Sequence, residues 1–476
     1  MRHTKIVCTL GPATDSREEI RALIDAGMDM ARLNFSHGTH EEHIRRLGLV
    51  REEAKRAGRV VGAIQDLQGP KIRTGTLKED EVTLEEGQRF TITTREVSGD
   101  AEIVSTDYPE LPRDVQVGDR VLVSDGLIEL RVQEKTDTDV ITEVIYGGHL
   151  RQRQGVNLPG VNISAPSVTE KDLEDLRVGL EYDVDYVAIS FVRHADDVRT
   201  IKAAIADAGK DIPVIVKLEK PEALDHLDAI IRETDAVMVA RGDMGVEMPP
   251  EEVPVVQKRI IQKSIRAAKP VITATQMLDS MMQHPRPTRA EVSDVANAIL
   301  DGSDAVMLSG ETAIGEYPVR ATEMLVRIAR TMDAYQASLP RAGSPWALRD
   351  VDSVPSGIGA AVAAIGETLD VKAVCVLTRS GLTARLVSHY RPNVPILAFT
   401  PYEQTMRRLP LLWGVMPIHN IYARTEQEYY DQVQRLLLDL GWAEEGDAVA
   451  LTGGHPMTEA GPTNFLKVLT VERPKK

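Results

Sequence analysis

The stretch from Pro213 to Asp243 reads PVIVKLEKPEALDHLDAIIRETDAVMVARGD and decides the fold. It holds two short apolar runs, Pro213–Glu219 and Ala236–Asp243, separated by a segment of helical pattern. Their apolar residues occupy consecutive rather than alternating positions, which is typical of strands buried on both faces of a parallel sheet. The stretch therefore indicates one strand–helix–strand unit of an α/β protein.

The same unit recurs along the chain. Six further apolar runs are Lys5–Gly11, Met30–Ser36, Val60–Leu67, Tyr186–Val192, Pro270–Gln276 and Ala305–Glu311. The amphipathic segments between the runs include Ser16–Ala26, Ala195–Ala208, Pro254–Ala268 and Pro318–Tyr335. Eight units, each a strand followed by a helix, predict a (β/α)₈ TIM barrel.

Two regions depart from this pattern and predict two further domains. Residues 70–169 carry short alternating segments broken by Gly, Asp and Pro, which indicates an inserted small all-β domain, a β-barrel. After a loop with Pro340, Gly343 and Pro345, strands and helices alternate again, as in an α/β domain with a mostly parallel sheet. We therefore expect a barrel domain over 1–69 and 170–340, an inserted domain over 70–169 and a C-terminal domain over 341–476.

The composition indicates which classes of partner and which cellular compartment to expect. The 56 basic and 72 acidic residues of this 476-residue chain give a net charge of −16, which argues against nucleic acid or an anionic membrane as the main partner. The chain has no apolar run of about 18 residues and no signal-peptide pattern at its start. Its two cysteines, Cys8 and Cys375, lie in apolar runs and are expected to be buried free thiols. These features predict a cytoplasmic protein.

Polar and ionisable residues gather at the carboxyl ends of the eight runs, where TIM barrels place their chemistry. They are Arg32, Asn34, Ser36, His37, Asp66, Ser190, Lys217, Glu219, Arg241, Gly242, Asp243, Thr275, Gln276, Ser309, Gly310 and Glu311. One such residue is unremarkable at a strand end, but the whole set predicts an active site at the barrel mouth.

Two carboxylates in this set, Glu219 and Asp243, are suited to hold Mg²⁺, which favours a few protein oxygens plus substrate oxygens. Their alternative role is in salt bridges with Lys217 and Arg241. Together with a metal, the cations Arg32 and Lys217 form an anion trap for a phosphoryl group. The turn at Gly242 lets a ligand approach the backbone, whose amides suit a carboxylate.

No nucleophile with a matched base stands out at the mouth. The set therefore predicts phosphoryl or enolate chemistry on a small polyanion by electrostatics rather than by covalent catalysis. A second site is expected after the first strand of the third region, where hydroxyls and a glycine precede a helix. This phosphate cradle comprises Thr378, Arg379, Ser380, Gly381 and Thr383. An ordinary capped turn is the alternative.

Long contiguous motifs in all three regions resemble the pyruvate kinase family. They are ARLNFSHG at 31–38, GVNLPG at 155–160, VKLE at 216–219, ARGD at 240–243, ATQML at 274–278, PRPTRAEV at 285–292 and LSGET at 308–312. The resemblance implies the reaction of ADP with phosphoenolpyruvate to give ATP and pyruvate, on a barrel with an inserted lid domain and a C-terminal regulatory domain.

The resemblance also implies roles for individual residues. Glu219 and Asp243 hold Mg²⁺, with Mn²⁺ as an alternative, while Lys217 and Arg32 stabilise the phosphoryl group in flight. Gly242, Asp243 and Thr275 bind the substrate carboxylate, and Thr275 joins the relay that protonates the enolate, with water as an alternative donor. The nucleotide-site residues are Asn34, Phe35, Ser36, His37, Arg73 and Pro12.

The chain departs from the family at two places. Many members bind K⁺ through groups that correspond to Asn34, Ser36, Asp66 and the carbonyl of Leu67. They typically read DTKGPEIR where residues 66–73 here read DLQGPKIR. Lys71 thus replaces an acid, and we expect its ammonium to supply the charge of K⁺; a solvated Lys71 beside an intact K⁺ site is the alternative. At Gln154 the family usually has a lysine that contacts a phosphate of the nucleotide. Here that contact is left to Arg151, to Arg153 or to no residue.

By the same resemblance we expect a homotetramer with a phosphorylated activator: fructose 1,6-bisphosphate, a sugar monophosphate or AMP. Two other functions remain as alternatives. One is a metal-dependent carbon–carbon lyase acting through pyruvate enolate, and the other is a non-catalytic sugar-phosphate binder. The lyase needs neither the inserted lid nor Lys217, so the motifs favour the kinase.

Overall fold

The computed structural model describes residues 2–339, 353–420, 423, 425–456 and 461–473. Strands and helices are numbered along the chain. The expected domain boundary at 340/341 lies outside the described residues, and the three domain ranges stay a prediction.

The eight predicted apolar runs form eight parallel strands that close into a barrel in the order β1–β17–β16–β15–β14–β13–β3–β2. They are β1 Lys5–Leu10, β2 Met30–Asn34, β3 Gly62–Asp66, β13 Tyr186–Ile189, β14 Val214–Leu218, β15 Ala236–Ala240, β16 Val271–Ala274 and β17 Ala305–Leu308. Neighbouring residues such as Ile215 and Val216 are both fully buried, one in the barrel interior and one beneath the helices. Burial on both faces explains the consecutive apolar positions.

Helices surround the barrel. They are α1 Arg17–Ala26, α2 His40–Arg56, α4 Glu170–Glu181, α5 Ala195–Asp207, α6 Glu222–Asp225, α7 Leu227–Glu233, α8 Arg241–Glu247, α9 Val253–Arg266, α10 Arg289–Asp301, α11 Gly310–Ala313 and α12 Pro318–Ser338. Several begin at a hydroxyl residue whose side chain accepts from the amide three positions on; Ser16, Thr39, Thr169 and Thr288 do so. Thr169 caps α4, the first helix after the inserted region.

Between β3 and α4 the chain forms nine strands and one short helix. They are β4 Ile72–Arg73, β5 Glu81–Leu84, β6 Arg89–Thr93, β7 Ile103–Ser105, α3 Leu111–Asp114, β8 Arg120–Val123, β9 Ile128–Lys135, β10 Asp139–Tyr146, β11 Gly148–Arg151 and β12 Gly155–Asn157. Seven form a sheet, β4–β12–β8–β9–β10–β6–β7, and β5 pairs with β11. A bridge between Thr74 and Thr106, just past the two edge strands, joins those edges at one point and curls the sheet.

The C-terminal region is an α/β unit. Its elements are α13 Val354–Thr368, β18 Val371–Leu377, α14 Leu382–His389, β19 Ile396–Thr400, α15 Glu403–Arg408, β20 Val415–His419, α16 Glu426–Asp439, β21 Ala448–Gly454 and β22 Thr463–Thr470. The sheet order is β20–β19–β18–β21–β22, and only the edge strand β22 runs antiparallel to its neighbour. The mostly parallel sheet is as predicted.

This unit packs against the amino-terminal ends of the barrel strands, opposite the mouth. Lys5, the first residue of β1, donates to the carbonyl of Val415 at 2.6 Å, and Arg391 pairs with Asp304, just before β17, at 2.9 Å. Cys8 and Cys375 are buried free thiols, as predicted. Over the described part of the chain, no helix combines the length and apolarity that crossing a membrane requires.

Candidate active site

Lys217 is the centre of a charged cluster at the barrel mouth. Its Nζ lies 2.8 Å from Glu219 Oε1 and 3.5 Å from Asp66 Oδ1, and it donates to Ser190 Oγ at 2.8 Å. Lys217 and Glu219 are two positions apart, so their side chains project to the same side. The structure thus brings together groups from three neighbouring strands of the barrel.

Arg32 is oriented by the same cluster. Its Nε donates to Asp66 Oδ2 at 2.6 Å, and one terminal nitrogen donates to Thr9 Oγ1 at 3.0 Å. Both members of the Arg32–Asp66 pair are buried. A buried pair with further hydrogen bonds holds its guanidinium in one orientation, and this one lies within the cluster that contains Lys217.

The electrostatics of the cluster keep Lys217 charged. Burial alone would lower the pKa of Lys217, but the carboxylates of Asp66 and Glu219 outweigh it and raise that pKa above its ordinary value. The pKa of Glu219 is also raised, first by burial and then by the charge of Asp243, against the pull of Lys217. The pKa values of Lys217 and Glu219 are therefore set by their burial and by the charged groups around them.

The carboxyl group of Glu219 fits a cation ligand. Its Oε2 accepts from the Phe191 amide at 2.8 Å. Its Oε1 is buried and accepts no hydrogen bond of good geometry, although the Lys217 ammonium lies close. Asp243 has no ion pair among the described residues, so the salt-bridge alternative fits Glu219 and not Asp243. Two carboxylates suit Mg²⁺, which takes most of its ligands from water and substrate. The described part of the chain has no group of three or more His, Cys, Asp or Glu side chains that could hold a metal ion.

Thr275 and Gly242 are held in direct contact at the ends of β16 and β15. Thr275 has a φ of +69°, rare for a β-branched residue, and its Oγ1 accepts from the Gly242 amide at 2.7 Å. Arg241 supports this turn: it donates to the Thr275 carbonyl at 2.8 Å and pairs with Asp294 at 2.7 Å. Arg241 is therefore engaged with the Thr275 turn and α10 rather than with Asp243.

A second group of cations lies where the inserted sheet meets the barrel. The charges of Arg73, Lys71 and Arg32 all act on His37; together with partial burial, which is the largest cause, they lower the pKa of its imidazole. His37 is exposed, and its carbonyl accepts from His43 Nε2 at 2.8 Å. This positive field suits the phosphates of a nucleotide.

Three of the oxygens expected to bind K⁺ accept hydrogen bonds from the protein, whereas Asp66 Oδ1 is buried without one. Asn34 Oδ1 accepts from the Ser36 amide at 3.2 Å, Asp66 Oδ2 accepts from Arg32, and the Leu67 carbonyl accepts from Ser190 Oγ at 2.8 Å. The Lys71 ammonium, by contrast, has no hydrogen bond or ion pair to any described residue, and Lys71 lines a cleft cavity together with Asp243.

Sequence reasoning missed one buried contact beside the site. Lys220 Nζ lies 2.6 Å from Glu247 Oε1, and the same oxygen accepts from Asn157 Nδ2 at 2.8 Å. Asn157 belongs to the inserted sheet, and Glu247 ends α8, the helix that carries Asp243. Lys220 directly follows Glu219, but no local pattern indicates a partner 27 positions away.

Among the remaining predicted residues, Pro12 is exposed on a short 3₁₀ helix after β1, and Phe35 is buried against His43. Gln154 bonds with Ser124 within the inserted sheet. Arg151 lies 3.2 Å from Glu81, whereas Arg153 is exposed with a φ of +56°.

The predicted phosphate cradle lines a cavity of about 230 Å³ in the C-terminal unit, the effector-loop cavity. All five predicted residues except Gly381 line it. The Gly381 amide bonds to Thr378 Oγ1 at 2.9 Å, and Thr383 Oγ1 lies 2.8 Å from Thr463 Oγ1. The loop is thereby fastened to the β21–β22 hairpin across the cavity.

Comparison with known proteins agrees with this architecture. A family model described as "Pyruvate kinase, barrel domain" matches residues 1–322, and one described as "Pyruvate kinase, alpha/beta domain" matches residues 357–469. Pyruvate kinases of Staphylococcus epidermidis and Staphylococcus aureus are 44% and 45% identical over 470 residues, 98% of this chain and 80% of theirs. The crystal structure of a pyruvate kinase from Cryptosporidium parvum has a TM-score of 0.91 and 36% identity, covering 99% of this chain and 96% of that one.

The barrel, its charged mouth and these matches define a barrel phosphotransferase. The matches extend through both the barrel and the C-terminal unit. The chain belongs to the pyruvate kinase family. Its reaction is phosphoryl transfer from phosphoenolpyruvate to ADP, which gives pyruvate and ATP in glycolysis. The lyase and the non-catalytic binder are not supported by any of these matches.

Proposed function

We propose that Lys217, Arg32 and Thr275 carry the phosphoryl transfer. The observation that carries this proposal is the position of Lys217, buried between Asp66 and Glu219 and aimed at the mouth. A permanently charged ammonium stabilises negative charge on the phosphoryl group in flight and on the enolate it leaves. Arg32, held by Asp66, supplies a second fixed cation to the same phosphoryl oxygens.

Glu219 and Asp243 hold Mg²⁺ in this proposal, with Mn²⁺ as the alternative ion. When bound, the metal neutralises charge on phosphoryl and substrate oxygens. The buried Glu219 Oε1 faces the mouth, and the Phe191 amide fixes the other carboxylate oxygen. The ion is thus expected to occupy the region between the two carboxylates.

The substrate carboxylate binds at the turn of Gly242, Asp243 and Thr275. The start of α8 provides amides with no acceptor inside the helix, and Thr275 provides a hydroxyl. Thr275 Oγ1 donates to the Ala274 carbonyl at 2.6 Å and accepts from the Gly242 amide, and in this proposal it joins the relay that protonates the enolate. Water remains the alternative donor of that proton.

The nucleotide lies in the cleft between the inserted sheet and the barrel mouth. Its contacts in this proposal are Asn34, Phe35, Ser36, His37, Arg73 and Pro12. Arg153 is the better replacement for the lysine missing at Gln154, because Arg151 is engaged by Glu81 and Arg153 has no acidic partner among the described residues. Closure of the inserted sheet on the nucleotide excludes water and protects the phosphoryl group from hydrolysis.

Substitution of Lys217 tests the assignment of the catalytic cation. We expect Lys217→Ala to lower kcat by roughly 100-fold or more, because a fixed charge at the reacting group acts mainly in the transition state. The rate of pyruvate formation from phosphoenolpyruvate and ADP with Mg²⁺ gives kcat for the variant and the parent. Lys55→Ala, on the exposed face of α2, is the matched control. Folded Lys217→Ala protein with kcat within tenfold of the parent would refute the assignment.

Lys71 takes the place of K⁺ in this proposal. Asn34 Oδ1, Asp66 Oδ2 and the Leu67 carbonyl each accept a protein hydrogen bond, and the Lys71 ammonium has no hydrogen bond or ion pair among the described residues. We expect equal rates in Tris buffer free of K⁺ and NH₄⁺ and after KCl is added at constant ionic strength. Lys71→Glu is expected to introduce K⁺ dependence. Strong activation of the parent enzyme by KCl would contradict this role for Lys71.

A phosphorylated activator binds the effector-loop cavity, on the strength of its hydroxyls, its helix N-terminus and Arg379. Fructose 1,6-bisphosphate, a sugar monophosphate and AMP are the ligands to titrate against the rate. We further propose a homotetramer that works in the cytoplasm, by analogy with the family. Light scattering on the purified protein measures the oligomeric state.

A further inference from the structure

A second cavity, the floor cavity, lies at the end of the barrel opposite the active site. It has a volume of about 300 Å³ and is enclosed by the barrel floor and the C-terminal unit. Tyr186, Asp235 and Pro270 line it from the barrel, and Arg385 and Arg408 line it from the C-terminal unit. Its wall shares Ser380 and Leu382 with the effector-loop cavity, but the two cavities otherwise have different linings.

The two arginines of the floor cavity have unused donors. The Arg385 side chain has no hydrogen bond or ion pair to any described residue, and its Nε is buried from solvent. Arg408 Nε is likewise buried without an acceptor, although another of its nitrogens donates to the Asp211 carbonyl. Buried guanidinium donors without acceptors are costly, so such groups normally have a partner.

The acidic residues of the lining do not supply that partner. Asp235 accepts from the Val214 amide at 2.9 Å and pairs with Lys202 at 2.9 Å. Asp211 is exposed. Lys269 lines a neighbouring cavity together with Arg385, and burial and the charge of Arg385 lower its pKa to about 8 against the charge of Asp235. Neither aspartate of the lining pairs with Arg385 or Arg408 among the described residues.

We propose that the floor cavity binds a small phosphate monoester, whose phosphoryl oxygens accept from Arg385 and Arg408. Guanidinium groups match phosphate because their donors form a planar fork. The leucines at 382, 409 and 412 give the cavity an apolar wall for the ester's carbon skeleton. A volume of about 300 Å³ is at the lower end of the range of small-molecule sites. This site is independent of the catalytic roles proposed above.

Binding of glucose 6-phosphate to the full chain, followed by calorimetry and by thermal shift, tests the site. We expect Arg385→Gln to raise the Kd roughly 10- to 100-fold, the effect of losing a hydrogen bond to a charged group. Arg385→Lys is expected to keep part of the affinity. Arg435→Gln, on the exposed face of α16, should keep it.

The melting temperature of Arg385→Gln without ligand shows whether this variant is folded. Since the Arg385 side chain has no partner among the described residues, Arg385→Gln should melt at or above the parent temperature without ligand and lose the ligand-induced rise. Absence of binding to the parent, or a Kd changed by Arg379→Gln and not by Arg385→Gln, would overturn the proposal. Inorganic phosphate should bind more weakly than the ester, and equal affinities would overturn the assignment of an ester.

Discussion

At the scale of the residue, two buried lysines show how surroundings decide a charge. Lys217 has two carboxylates beside it, and its pKa is raised. Lys5 is just as buried, yet it donates to a carbonyl, and the charge of nearby Asp29 is opposed by that of Arg2. Burial therefore dominates at Lys5 and lowers its pKa to about 8.

This difference predicts how the stability contribution of Lys5 changes with pH. The pKa of an unfolded lysine is about 10.4, so between pH 8 and 10.4 the unfolded chain binds more protons than the folded one. The free energy of unfolding therefore rises with pH in this window. Relative to Lys5→Met, the parent should gain on the order of 3 kcal/mol from pH 7.5 to 10.5. Urea unfolding at several pH values measures the gain.

The control is Lys55→Met, which removes an exposed lysine from α2. The difference between this variant and the parent should not change over the same range. A constant difference for Lys5→Met as well would mean that Lys5 titrates in the folded protein as it does in the unfolded chain.

At the scale of the element, the start of β3 is fixed by contact with the C-terminal unit. Gly62 opens β3, and a Cβ there would lie 2.3 Å from the Arg407 carbonyl and 2.5 Å from Met30 Sδ. A side chain of any size would push α15 away from the barrel. Gly48, in the middle of α2, has no atom within 4 Å of the same position.

The two glycines therefore predict opposite effects of alanine. Gly62→Ala should destabilise the protein by about 1–3 kcal/mol or more. The new Cβ would meet the backbone carbonyl of Arg407, which cannot move aside as the end of a flexible side chain can. Gly48→Ala should stabilise it by up to about 1 kcal/mol, because alanine is the better helix former. Melting temperatures of both variants measure this. Equal temperatures for Gly62→Ala and the parent would show that the contact yields without cost.

At the scale of the whole molecule, buried ion pairs join the C-terminal unit to the barrel. Arg391 pairs with Asp304 at 2.9 Å and lies over the ring of Trp413 at 4.6 Å. Arg407 pairs with the fully buried Asp185 at 2.9 Å. Both contacts lie on the barrel floor, so they set the position of the C-terminal unit relative to the eight strands.

Breaking one of these pairs should weaken the contact between the C-terminal unit and the barrel. Arg391→Met leaves Asp304 without its cation and should cost about 3–5 kcal/mol of stability. Urea unfolding measures the loss, and limited proteolysis should show earlier cleavage between the barrel and the C-terminal unit. Arg199→Met breaks an exposed pair with Glu233 and should cost at most about 1 kcal/mol. Similar losses for both variants would contradict a special role for the floor pair.

The sequence by itself determined the parts of this protein that depend on local periodicity. Eight runs of consecutive apolar residues specified the barrel strands, because each strand is buried on both faces. The spacing of Lys217 and Glu219 specified that both side chains project to one side of a strand. Strands β4, β7 and β12 of the inserted sheet span only two or three residues, too few for an alternating pattern to indicate them.

Only the tertiary structure decided which distant groups meet. Arg241 pairs with Asp294 and not with Asp243, since α10 packs beside the Thr275 turn. Lys220 and Asn157 share Glu247 because the inserted sheet comes to lie against α8. Arg385, whose side chain has no partner in the described part of the chain, lines a cavity formed where the C-terminal unit covers the barrel floor. Such contacts depend on how whole helices and strands pack together, and no local pattern of residue types encodes that packing.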